Sequence, residues 1–150
     1  MIHRPANSFL CLLALLASMF TTAQVASAPA LPNPVLYLTG IEAYTTGGRK
    51  FIRYKYDVFN KDAYPLEMFA AAPKLPPCGA NTKASRTWVN VYRPNGIRLN
   101  GFCSLAKPAD LGKLWFALEE GILPPSFVYI ELTDRQTNTK YKSNLAETTL

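Results

Sequence analysis

Histidine is almost missing from this chain. The single copy is His3, inside an N-terminal leader. A mature chain without histidine cannot build a Ser-His-Asp or Cys-His site. It also loses the commonest zinc ligand and the usual acid/base group near neutral pH. Cysteine is scarce as well, with three copies, Cys11, Cys78 and Cys103. No Walker-type or dinucleotide-type glycine pattern occurs, and Gly47-Gly48 reads as a hairpin turn. Basic residues are scattered and never form a run of five or six. These absences predict no catalytic residue, no cofactor site and no metal site.

Carboxylates are the residual route to catalysis. Glu119 and Glu120 are adjacent in a turn, Asp57 and Asp62 flank Asn60, and Glu131 and Asp134 approach the last hairpin turn. A glycosidase could use two such acids, but solvated turn charges account for them more simply, so a carboxylate-based hydrolase is the remote alternative. Asp57, Asn60 and Asp62 lack the spacing and the later glutamate of an EF-hand, which favours turn capping over Ca²⁺ binding.

What is present at the start of the chain is a targeting pattern. Arg4 precedes an apolar run over residues 9–20, followed by a small, polar stretch over residues 21–28. This order is that of a secretory signal peptide, residues 1–28, with cleavage expected after Ala23 or Ala28. The run is well short of the roughly 20 residues that cross a bilayer, so no transmembrane anchor is expected. Cys11 lies inside that run without the small neighbours a lipid-modified cysteine needs. Removing the leader takes Arg4 and no acid, leaving fifteen basic and ten acidic side chains, a net charge of +5. The remaining residues, 29–150, suit a single domain. Cys78 and Cys103 are the two cysteines that survive, and in an exported chain they are expected to form a disulfide.

Beyond the leader the pattern is that of strands. Residues 35–43 form a first strand, bent at Gly40, and residues 45–48 a turn. In residues 51–60, Ile52, Tyr54, Tyr56 and Val58 share one face and Arg53, Lys55 and Asp57 the other, the period of a half-buried antiparallel strand. A long irregular stretch over residues 61–85 carries Pro65, Pro73, Pro76 and Pro77, with residues 66–69 as a short edge strand. Residues 87–103 read as a hairpin around Pro94-Asn95-Gly96. A three-residue loop with left-handed Gly96 would oppose Arg93 to Ile97, Val91 to Leu99 and Trp88 to Phe102. Residues 108–113 make one helical turn, 114–118 a strand, and 127–133 with 139–143 a last hairpin. The sum is an all-β chain, an antiparallel β-sandwich of about seven strands.

Tyr54-Lys55-Tyr56-Asp57-Val58-Phe59-Asn60 followed by Tyr64-Pro65-Leu66, with Val89-Asn90-Val91-Tyr92 and Gly96, resembles secreted bacterial immunoglobulin-like or fibronectin type III-like modules. It is fainter in its similarity to the family of the Bacillus intracellular proteinase inhibitor. The resemblance covers residues 50–103, rests on turns and alternation, and implies an immunoglobulin-like sandwich that binds; it transfers no functional residue. Antibody domains bridge their two sheets beside a buried tryptophan, whereas Cys78 falls in a loop, so its bridge would tie that loop to the hairpin.

The function these features favour is an exported, periplasmic or extracellular, non-enzymatic binding or envelope-associated module acting through a surface. Its partner would be a protein or envelope component, with an anionic polymer as a further possibility and nucleic acid disfavoured. A secreted protease inhibitor using the Pro-rich loop is the alternative. The expected partner-binding residues are Tyr64, Leu66, Met68, Phe69 and Leu75, because an ordinary solvated loop does not need so much apolar content. The competing account is that they cap the open end of the core. A second candidate surface arises if Trp88 and Tyr92 face outward beside Arg98, as a stacking platform.

Overall fold

The alternating segments form two antiparallel sheets in the computed structural model, which describes residues 30–72 and 84–150. The strands are β1 (Leu36–Thr46), β2 (Arg49–Val58), β3 (Thr87–Tyr92), β4 (Arg98–Phe102), β5 (Leu114–Glu119), β6 (Phe127–Asp134), β7 (Thr139–Lys142) and β8 (Ala146–Glu147). One sheet has the order β1-β2-β5; the other runs β4-β3-β6-β7, with β8 also paired to β6. Residues 1–29 and 73–83 lie outside the described part, and with them the leader, Leu75 and Cys78.

The first hairpin follows directly from its turn residues. Thr46 pairs with Arg49, leaving Gly47 and Gly48 at φ 54° and 73°. Two successive left-handed residues make the turn whose twist matches flanking strands, and glycine adopts it without strain. The expected bend at Gly40 is a bulge: the register steps between Leu38 and Gly40, and the extra residue, Thr39, donates its hydroxyl to the Lys55 carbonyl at 3.1 Å.

Period-two alternation then fills the space between the sheets. Tyr54, Tyr56 and Val58 of β2, with Leu114 and Phe116 of β5, face Val89 and Val91 of β3 and Val128, Ile130 and Leu132 of β6. Phe116 stacks on Tyr54 at 4.8 Å and on Tyr56 at 6.0 Å between ring centroids. Burial raises the Tyr56 hydroxyl above its ordinary range, and that hydroxyl donates to the Glu147 carbonyl.

Two local expectations are corrected. In the β3–β4 hairpin, Arg93 does donate to the Ile97 carbonyl at 2.9 Å, and Gly96 sits at φ 84°, as the three-residue loop requires. Beyond Tyr92, which pairs with Arg98, the register shifts by one. Val91 therefore opposes Asn100 rather than Leu99, and Phe102 opposes Val89 rather than Trp88. With this shift Asn100 donates to the Trp115 carbonyl at 2.7 Å, tying an edge of one sheet to the other.

The segment Leu66–Phe69 is a 3₁₀ turn rather than an edge strand. Met68 and Phe69 are both buried, which an edge strand with one solvated face does not achieve, because neighbouring side chains point to opposite faces. A tight turn can, and Met68 and Ala70 donate to the Pro65 and Glu67 carbonyls within it. The helical turn at Pro108–Lys113 forms as expected, with Leu111 buried beneath it.

Candidate functional site

The apolar loop residues divide by burial. Tyr64, Met68 and Phe69 are core, Phe69 being only 2% exposed, while Leu66 is 63% exposed. Tyr64 also packs edge-on against Tyr141 at 6.2 Å and donates its hydroxyl to the Pro32 carbonyl at 2.7 Å. These three side chains belong to the buried core cluster. Of the five candidates only Leu66 is placed with its side chain in solvent; Leu75 lies outside the described residues.

The outer face of the five-stranded sheet gathers a different set. On β3, buried Thr87, Val89 and Val91 alternate with half-buried Trp88, Asn90 and Tyr92. On β6, Tyr129 and Glu131 point to the same outer side, and on β7 Lys140 and Lys142 flank the inward Tyr141. Cross-strand pairing then sets the rows: Tyr92 opposes Tyr129, Asn90 opposes Glu131, and Glu131 opposes Lys142.

The result is two layers. Below, Tyr92 and Tyr129 stack at 5.3 Å, and Trp88 is fixed by donating its indole N–H to the Ser85 carbonyl at 2.8 Å. Above, the Arg135 guanidinium lies 4.6 Å from the Trp88 ring centroid and the Lys142 ammonium 4.2 Å from that of Tyr129. Such cation–ring contacts hold the charges in place. Arg98 reaches Asn90 Oδ1 at 3.5 Å across Gly101, where any Cβ would lie 2.7 Å from that oxygen. Lys140 pairs with Glu131 at 2.8 Å, which raises the lysine above its ordinary value. Four cations, Arg98, Arg135, Lys140 and Lys142, thus share a face on which Glu131 is the acid.

Trp88 and Tyr92 both face outward, Tyr92 beside Arg98 and Trp88 beneath Arg135. The sequence reading missed Tyr129, Arg135, Lys140 and Lys142 as their neighbours. The signal was there in the period-two spacing of Tyr129, Glu131, Thr133 and Arg135 and of Lys140 and Lys142. It could not be used without knowing that β6 lies between β3 and β7. Because the cations cover the rings, the outermost layer is charge rather than exposed aromatic surface. This suits an anionic ligand better than a neutral sugar stacked on a bare ring.

Four of the six acids singled out in the sequence go to other work. Asp57 accepts from Lys61 at 2.6 and 2.7 Å and from the Val58 amide, and Asn60 holds the backbone of Val35 and Asn33. Glu119 and Glu120 face Arg49 and Lys50, and Asp134 faces Arg86. Glu42, Asp110 and Asp134 are all held below the ordinary carboxylate range, the direction opposite to that of a general acid at neutral pH. Among the described residues no group of three or more His, Cys, Asp or Glu side chains could hold a metal ion.

The strand orders β1-β2-β5 and β4-β3-β6-β7 correspond to A-B-E and C′-C-F-G, so the protein has an immunoglobulin-like sandwich fold. It departs from antibody domains in its core. The stacked Tyr54, Phe116 and Tyr56 fill the inter-sheet space, the strand-C tryptophan, Trp88, points outward, and Cys103 follows the end of β4. No family model and no curated protein matches the chain. Among solved structures it is similar to the human pre-T cell receptor, at 13% identity over 77% of this chain and 99% of that one, with a TM-score of 0.41. The fold assignment rests on the strand order and not on that likeness.

Proposed function

We propose that this protein is an exported, non-enzymatic binding module that holds an anionic polymer against the outer face of its five-stranded sheet. Export is supported by the leader over residues 1–28. The polymer is supported by one observation above the others: Arg135 and Lys142 are seated on the rings of Trp88 and Tyr129, with Arg98 and Lys140 beside them and Glu131 as the acid among them. Lys140 and Lys142 lie two residues apart on an edge strand, a separation of about 7 Å that suits successive charges along an extended chain. Ring seating reduces the side-chain freedom lost on binding, and this favours affinity.

The test is binding to dextran sulfate, with neutral dextran as control. Affinity for dextran sulfate should fall steeply with salt, and neutral dextran should not bind. The double substitution Arg135→Ala/Lys142→Ala should weaken binding and reduce the slope against log salt by about two. Equal binding of neutral dextran, or a double variant that binds as the parent does, would overturn the reading.

A further inference from the structure

A groove of about 430 Å³ lies on the opposite sheet, between the β1 bulge, β2 and the 3₁₀ turn Pro108–Lys113. Thr39, Arg53, Lys55, Lys113 and Trp115 contribute to its wall. Two glycines set how closely that wall is built. A Cβ on Gly40 would lie 3.3 Å from Lys55 Cε, and one on Gly112 would lie 3.0 Å from Asp57 Oδ1. The lysine stem therefore lies flat across the bulge, and the turn sits hard against the sheet.

Three cations meet at this groove. The Arg53 guanidinium is fixed between two rings, 4.4 Å from the centroid of Tyr44 and 4.8 Å from that of Trp115, and bonds Glu42 Oε1 at 3.0 Å. Lys55 gives one bond to Glu42 Oε2 at 2.9 Å, and Lys113 gives one to Asp110 Oδ1 at 2.8 Å. An ammonium carries three donors, so each lysine keeps donors for a ligand. Counting Glu42 and Asp110 against the three cations leaves one positive charge, which matches a monoanion. Trp115 is half-buried beside them, with Arg53 over its ring and Phe102 edge-on to it, and the part of the indole left at the groove wall is the apolar surface for the body of such a ligand.

We propose that this groove binds a small organic monocarboxylate, its carboxylate directed to Lys55 and Lys113 and its body lying along Trp115. This site lies on the other sheet from the polymer face and does not depend on it. The test is titration with benzoate, followed through the amide resonances of Thr39, Gly112 and Lys113, with benzamide as the uncharged control and inorganic phosphate as the competing anion. Benzoate should give saturable shifts and benzamide none, and phosphate should bind more weakly. Both lysine side chains are largely exposed, at 46% and 72%, so Lys55→Ala and Lys113→Ala should fold normally. Each should weaken benzoate about tenfold, the loss of one charge-assisted hydrogen bond. Arg135→Ala/Lys142→Ala should bind benzoate unchanged, which separates this site from the polymer face. No saturable shift with benzoate, equal binding of benzamide, tighter binding of phosphate, or lysine variants that bind like the parent would each overturn the proposal.

Discussion

Asp134 accepts four hydrogen bonds: two from Arg86, at 2.7 and 2.6 Å, one from the Gln136 amide and one from the Thr137 hydroxyl. The Arg86 guanidinium pulls its carboxyl down to about 2 from an ordinary 3.8, against the opposing effect of burial. The unfolded chain therefore takes up a proton before the folded one does. The stability this contributes, about 2 kcal/mol, is present above pH 4 and is lost as pH falls from about 4 to about 2. Denaturant midpoints measured across that window should fall in the parent. They should fall less steeply in Asp134→Asn, which starts lower by about 3 kcal/mol because Arg86 is left without its counter-charge. Phe69 and Leu66 supply a second test at this scale. Phe69→Ala should cost about 3–5 kcal/mol and Leu66→Ala less than about 0.5 kcal/mol in the same measurement, since one side chain is core and the other is in solvent.

Among the elements, β1 is held at its start by side chains acting as backbone. Asn144 accepts from the Leu36 amide at 2.8 Å and donates to its carbonyl at 3.0 Å, while Asn60 accepts from the Val35 amide at 2.8 Å. Asn144 follows β7 of the other sheet, so its pair of bonds fastens one sheet to the other where no ladder can. Replacing Asn144 by alanine should cost about 1–2 kcal/mol and speed exchange of the Leu36 amide ahead of global unfolding. The strands themselves were legible in the sequence wherever one face was buried, as in β2 and β3, because period-two alternation records that burial. The turn at Leu66–Phe69 was not, since adjacent apolar residues look the same in a buried strand and in a tight turn. Nor was the one-residue shift in the β3–β4 hairpin: it depends on the contact of Asn100 with Trp115, fifteen residues away in another sheet.

At the scale of the whole molecule, the described residues 72 and 84 lie side by side. The Ala72 amide donates to the Ala84 carbonyl at 2.9 Å, and the Ser85 amide to the Cys103 carbonyl at 2.8 Å. Ala72, Ala84 and Ser85 are thus close to Cys103. On the export proposed above, we expect a Cys78–Cys103 bridge. Alkylation without reductant should label neither cysteine, and Cys78→Ser/Cys103→Ser should lower stability by roughly 3 kcal/mol. Composition and alternation alone determined that the chain is all-β and that its one histidine is His3. These are properties of single residues and of neighbours along the chain. Only the tertiary structure decided that Arg135 and Lys142 rest on Trp88 and Tyr129, or that Lys113 meets Lys55 across a groove. Such sites join residues from strands whose order in a sheet is set by the packing of two faces against each other, and local sequence does not encode that order.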